Sequence, residues 1–346
     1  MLDTFPHLIE TEEQLDEIMT RPSQELVEFA KGIESPLVIL GAGGKMGPTL
    51  AVLAHRAALL ADHNLEVVAV SRFTDREVQS WLEQRGVKTI SYDLLDAEHY
   101  STLPDAINVI YLVGMKFGTT QDPSRTWIMN TLIPAYTAQR YRDSRIAVLS
   151  TGNVYPMTGV NKGGSYESDP ITPIGEYSNA CVARERIFEY YSTSLNIPMV
   201  FLRLYYALDL RYGVLVDIAQ KVYHEEPIDI TMGYFNCIWQ GDANDLIIRA
   251  LGVVASPPKL LNLALPEAFS VRQIAQEIAS LMGKPLYINK DEAGTALIGN
   301  TTELRHTLGE PQVPLSAILR WTAHWIQNHG RLLQKPTHFE VRDGQY

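Results

Sequence analysis

With 346 residues, 46% of them hydrophobic, the chain can build a substantial core, as one large α/β domain or two smaller ones. A formal net charge of −11 argues against a non-specific nucleic-acid binder and a polybasic membrane binder, but leaves room for an anion held by a local turn. Cys181 and Cys237 make neither a disulfide framework nor a zinc site, the N-terminus has no basic start ahead of an apolar run, and no stretch is apolar for long enough to span a bilayer; a cytoplasmic protein is expected.

Residues 1–35 read as a helical extension packed on the edge of a domain. Thr11 with Gln14 has the form of a capping box, and Leu15, Ile18 and Met19 follow at helical spacing. The run 36–40 is short, apolar and closed by glycines, the pattern of a buried parallel strand. Residues 47–61, rich in Ala and Leu, predict a helix. Further strands are expected at 66–70, 88–92, 108–113, 145–150 and 198–204, with helices at 75–85, 122–140 and 177–194. This alternation predicts an α/β fold with a Rossmann-type, doubly wound parallel sheet over 36–205. Beyond it, 206–346 reads mainly as a small C-terminal α/β lobe for a substrate, with some segments returning to the sheet. Its amphipathic helices are expected at 271–282 and 315–329, and Asp242 is expected to cap a helix.

Gly41-Ala42-Gly43-Gly44-Lys45-Met46-Gly47 lies between a strand and a helix, the context a dinucleotide-binding turn requires. The Gly-x-Gly-x-x-Gly register fails at Met46; Gly-x-x-Gly-x-x-Gly fits at Gly41, Gly44 and Gly47. Glycines let the backbone approach a pyrophosphate, and the helix N-terminus presents N–H groups to it. Gly41, Gly44, Lys45, Met46 and Gly47 are therefore expected at the cofactor. The next strand ends in Ser71-Arg72 with no carboxylate before Asp75, which favours the 2′-phosphate of NADP over NAD. Asp93 and Leu94 are candidates for the adenine; alternatively Asp93 caps a helix. The histidines show no ligand spacing, so no metal is expected.

These landmarks, in order, resemble the extended short-chain dehydrogenase/reductase family of NAD-dependent epimerase/dehydratase type over 36–330. The glycine turn is followed by Tyr111-Leu-Val-Gly-Met-Lys-Phe117, similar to the family's fourth-strand segment. Leu149-Ser-Thr-Gly-Asn-Val-Tyr-Pro156 resembles Ser-Ser-x-x-Val-Tyr-Gly. Pro173 to Tyr177 resembles the approach to a catalytic tyrosine, and Arg203-Leu204-Tyr205 the Arg-Leu-x-Asn stretch. The resemblance implies NAD(P)-dependent chemistry on a sugar or nucleotide-sugar hydroxyl or carbonyl. Thr151 and Tyr177 would be catalytic, and Val113, Gly114, Lys116 and Tyr177 would lie at the cofactor. Asn153, Tyr206 and Arg211 are candidates for the substrate pocket. A homodimer through the helices at 122–140 and 177–194 is also implied.

The family's lysine should follow the tyrosine by four residues, one helical turn on the same face. That position is Cys181, and a thiol neither carries an ammonium's charge nor matches its hydrogen bonding. Three explanations stay open. Another cation substitutes, Lys116 first, then Lys162 and Arg184. Tyr177 acts only as a hydrogen-bond donor. Or catalysis is lost, leaving an NADP(H)-sensing regulatory protein. A further alternative is a reductase of the dihydrodipicolinate type, which shares the Gly-x-x-Gly-x-Met-Gly turn; the spacing of Thr151 and Tyr177 argues against it.

Overall fold

The apolar runs of the first 205 residues form strands that, apart from the edge strand at 88–91, are buried on both faces, as a parallel sheet covered by helices demands. In the computed structural model, which describes residues 5–114, 121–335 and 337–345, six of them and one later strand make a seven-stranded parallel sheet. They are β1 (Leu37–Leu40), β2 (Val67–Ser71), β3 (Lys88–Ser91), β4 (Asn108–Tyr111), β5 (Arg145–Thr151), β6 (Met199–Leu204) and β7 (Lys259–Leu263), in spatial order β7-β6-β5-β4-β1-β2-β3. The last strand comes from the C-terminal part of the chain and pairs with β6 from Lys259↔Val200 to Leu263↔Leu204. Strand order reverses between β1 and β4, and the crevice beyond their carboxyl ends is where open α/β sheets bind ligands.

On one face lie α2 (Gln24–Ala30), α3 (Gly47–Leu60) and α8 (Gln240–Arg249), whose Leu26, Leu50, Leu53 and Leu246 share a core with Ile39 and Ala69. On the other, α5 (Pro123–Arg140) and α6 (Gly175–Leu195) bring Ile133 and Phe188 against Val38, Val109 and Tyr111. Between β2 and β3 runs α4 (Arg76–Glu83). A second core sits among α7 (Val214–Tyr223), α9 (Val271–Met282) and α11 (Leu315–Gln327), with α10 (Thr302–Leu308) packed near β7.

The N-terminal extension is more than an edge helix. Leu15, Ile18 and Met19 of α1 (Glu12–Met19) are buried in the second core, while Leu26 and Ala30 of α2 are buried in the first. Thr11 caps α1, accepting from the Gln14 amide at 3.2 Å. The Gln14 side chain reaches the amide of Glu10 at 2.7 Å, one residue earlier than a capping box places it. Asp75 and Asp122 cap α4 and α5. Asp242 does not cap α8, whose N-cap position is Trp239. Its carboxylate instead accepts from the amides of Gln312 (2.9 Å) and Val313 (2.8 Å), fastening the segment ahead of α11.

Candidate functional site

The turn after β1 is built by three glycines, each for a different reason. Gly41 has φ +83°, and a Cβ there would lie 3.0 Å from the Val113 amide nitrogen. A Cβ on Gly47 would lie 2.4 Å from the Ala42 carbonyl oxygen, so only glycine lets α3 sit this close to the turn. At Gly43 a Cβ would meet Ser71 Oγ at 2.6 Å. The register reading overlooked Gly43 in favour of Gly44, where the nearest atom, Gly41 O, stands at an ordinary 3.4 Å. Met46 takes the N-cap position of α3 and supplies no side-chain cap, so the helix presents its first-turn amides and positive dipole end to the crevice. Met46 itself is buried in the core. Lys45 turns toward the second lobe: its Nζ donates to Ala207 O at 3.1 Å and lies 3.5 Å from the centre of the Tyr212 ring.

A cleft of about 210 Å³ opens over this turn. It gathers Gly41, Gly44, Ser71, Arg72, Asp93, Leu94, Val113 and Gly114 of the expected set, and adds Gly43, Phe73, Asp75, Tyr92, Met129 and Ile133, among others. Phe73 is buried with φ +45°, a left-handed backbone that costs a bulky residue about 1–3 kcal/mol and is kept where surroundings over-determine it. Arg72 is exposed at the mouth, and Asp75 beside it is engaged in the α4 cap, accepting from Glu77 N at 2.9 Å. Asp93 accepts from Leu95 N at 3.1 Å in a short turn. Lys116 lies outside the described residues.

Thr151 closes β5, and Tyr177 stands in the first turn of α6. The structure brings them together: the phenol hydrogen-bonds with Thr151 and with Cys181. Thr151 Oγ1 also accepts from the Asn153 amide at 3.2 Å. Burial raises the Tyr177 phenol well above its ordinary value, and Cys181 adds to the effect, while the Arg184 guanidinium and the Thr151 hydrogen bond oppose it. The phenol is therefore a proton-bearing donor at neutral pH. Tyr177, Cys181 and Arg184 share one face of α6 at i, i+4 and i+7. Arg184 is buried, and its Nη1 donates to Val113 O (3.0 Å) and Asn130 Oδ1 (3.2 Å).

Beneath this pair lies a buried polar network. The Glu185 carboxylate accepts from Ser150 Oγ and from Arg203 Nε (3.1 Å) and Nη2 (2.7 Å). Arg203 Nη1 donates to the Tyr155 hydroxyl at 2.5 Å, which donates to Asn262 Oδ1 at 3.1 Å. Burial pushes the Tyr155 phenol up to about 12 even though Arg203 opposes the shift. Of these residues, Ser150, Tyr155, Arg203 and Asn262 fall in the sequence landmarks at 149–156, 203–205 and 262–264; Glu185 carries no local signal. A second, smaller cavity is lined by Asn153, Tyr206, Ser178 and Arg342, among others. Arg211, expected there, lines neither cavity. It is tied to Asp209 (3.0 Å) and to Asp16 of α1 (3.3 Å). Among the described residues no group of three or more His, Cys, Asp or Glu side chains is arranged to hold a metal, and no helix is long and apolar enough to cross a membrane.

The sequence profile of the NAD dependent epimerase/dehydratase family matches residues 37–208. No curated protein matches the chain in sequence. Among solved structures, the chain is similar to a UDP-glucuronic acid 4-epimerase from Bacillus cereus in complex with UDP-glucuronic acid and NAD (TM-score 0.70, 18% identity, covering 85% of this chain and 99% of that one). It is also similar to a UDP-glucose 4-epimerase from Thermotoga maritima (0.67, 17%, 85% and 99%) and a UDP-N-acetylglucosamine 4-epimerase from Methanobrevibacter ruminantium (0.69, 16%, 86% and 99%).

Proposed function

The chain belongs to the NAD dependent epimerase/dehydratase family, and on that premise we propose that it is an NAD(P)-dependent oxidoreductase or epimerase acting on a hydroxyl or carbonyl of a sugar or nucleotide sugar. One observation carries this reading. The Tyr177 phenol, hydrogen-bonded with Thr151, stands on the same helix face as Arg184, whose Nη1 bonds the Val113 carbonyl in the cleft wall.

When bound, the nicotinamide supplies or accepts hydride. The turn from Gly41 to Gly47 and the N-terminus of α3 would hold its pyrophosphate; the close fit of Gly43 to Ser71 leaves the backbone, not a side chain, facing the ligand. Ser71 and Arg72 would take the adenosine ribose and Asp93 with Leu94 the adenine. Arg72 at the mouth supports NADP, with the Asp75 carboxylate held in a helix cap; the NAD in the Bacillus cereus structure supports NAD as the alternative. Tyr177, protonated at rest, donates to the reacting oxygen, and Thr151 holds the same oxygen from β5. Asn153 and Tyr206 face the substrate side.

A homodimer through α5 and α6 belongs to the same reading, since their outer faces leave Trp127, Ile128, Leu132 and Tyr190 exposed. A cytoplasmic location fits two free cysteines.

The test is incubation of purified protein with NAD or NADP and a panel of nucleotide sugars, following the absorbance of reduced nicotinamide. Turnover, or transient reduction, that vanishes in Tyr177→Phe is expected. Dinucleotide binding with no exchange against any sugar or carbonyl would favour the sensor reading, which rests on Cys181.

A further inference from the structure

Arg184 has surroundings unusual for an arginine with a structural role alone. Its side chain is 3% exposed. The neighbouring carboxylate, Glu185, is engaged by Arg203 at 2.7 Å, and among the described residues Arg184 forms no ion pair of its own. Nη1 has its two acceptors, Val113 O and Asn130 Oδ1, but the buried Nε has none among the described residues. The equally buried hydroxyl of Tyr111, at the end of β4, also lacks a partner among the described residues. Orphaned buried donors are rare enough to need a reason.

Position supplies the reason. A Cβ on Gly114 would lie 2.9 Å from Arg184 Nη1, so the guanidinium presses on the cleft wall formed by Val113 and Gly114. On its other side it acts on the Tyr177 phenol. Helical side chains lean toward the N-terminus of their helix, so a long side chain at 184 covers the surface beside 180 and 181. Cys181, fully buried, fills less of that space than a lysine would. A guanidinium also holds its charge and sheds water more readily than an ammonium, which suits a closed site.

We propose that Arg184 is the cationic positioning residue of this active site, serving the Tyr177 phenol and the nicotinamide ribose from one turn beyond the position where Cys181 replaces a lysine. This assignment rests on the dinucleotide reading above. The unpartnered Nε is the donor that a ribose hydroxyl or the ionising phenol takes up.

Titration of purified variants with NADH and NADPH tests it, with circular dichroism reporting the fold. Arg184→Met should stay folded and bind about 10–100-fold more weakly, as loss of a charge-assisted hydrogen bond implies. Cys181→Lys added to Arg184→Met should return the affinity to within about threefold of wild type, a rescue that a packing role for Arg184 would not allow. Cys181→Lys alone should bind no tighter than wild type, because the charge is already present. Wild-type affinity in folded Arg184→Met, or a loss that Cys181→Lys leaves unrepaired, overturns the proposal. Should Arg184→Met not fold, Cys181→Lys alone decides: no gain supports the assignment, and about a tenfold gain overturns it. Wild-type protein that binds neither nucleotide overturns the dinucleotide reading as well, whereas the variant ratios sink this proposal alone.

Discussion

Replacing Glu185 with alanine leaves the Arg203 guanidinium, 2% exposed, without its carboxylate. Breaking a buried ion pair from one side costs about 3–5 kcal/mol, because the remaining charge stays buried. Ser150 loses its acceptor as well, adding about 1 kcal/mol. The total, about 4–6 kcal/mol, set against an unfolding entropy of about 0.7 kcal/mol/K for a chain of this length, predicts a melting temperature lower by about 6–8 °C. Urea denaturation followed by circular dichroism measures the free energy, and calorimetry the temperature. The double variant Glu185→Leu/Arg203→Met should recover much of the loss, giving a coupling of about 2–4 kcal/mol in the double-mutant cycle. Because Ser150 precedes Thr151 on β5, the single variant should also lower turnover more than nucleotide affinity. A loss below about 1 kcal/mol in Glu185→Ala would refute the reasoning, since the network would then contribute no more than a surface pair.

Tyr177→Phe should cut hydride exchange by about 10²–10⁴-fold, the range of general acid–base catalysis, with nucleotide binding retained; stopped-flow absorbance and fluorescence titration separate the two. Arg72→Glu should shift the ratio of NADPH to NADH affinity toward NADH by about tenfold or more, read by competition titration, because a charge-assisted contact becomes a repulsion. Gly47→Ala should destabilise or misfold the chain, since its Cβ meets the Ala42 backbone, whereas Gly43→Ala should cost less, because Ser71 Oγ can rotate away and only Ser71 Cβ, at 3.1 Å, has to give. Asp242→Asn tests pH dependence. Burial raises this carboxyl to about 7 in the folded chain, above about 3.9 unfolded, so the native state holds a proton that the unfolded state releases. Stability from this group is full below about pH 4 and is lost as pH rises through 7. Asparagine, accepting the Gln312 and Val313 amides through its own oxygen, should raise stability at pH 8 by about 1–3 kcal/mol and do little near pH 4.

Much of the sheet was legible because a buried strand and a glycine turn are local patterns. The runs at 36–40, 66–70 and 145–150 fall within a residue of β1, β2 and β5, and the caps Asp75 and Asp122 mark the starts of α4 and α5. The second lobe was less legible. Helix α7 opens on Val-Leu-Val, a short apolar run that by itself reads equally as a strand, although Asp217, Gln220 and Lys221 share one less buried face. Asp242 resembled a cap because acidic residues near a helix start do so; its actual partners lie 70 and 71 residues away. The departure at Cys181 was visible in the sequence, and Arg184 stood among the candidate cations, behind Lys116. Lys116 ranked ahead of Arg184 because resemblance, not packing, set the order. Only tertiary structure places Arg184 between the cleft wall and the phenol, and only it separates Arg211 from the cavities by pairing it with Asp16 of α1. Gly43 was passed over because a spacing rule cannot tell which glycine faces Ser71.

Hydrogen–deuterium exchange with and without saturating NADPH or NADH tests the central claim most directly. If one dinucleotide bridges the glycine turn and the Thr151–Tyr177 pair, amides at 41–47, at 112–114 and at 151–153 should all slow together. Unchanged exchange at 41–47 under both nucleotides, in protein shown to be folded, would contradict the account.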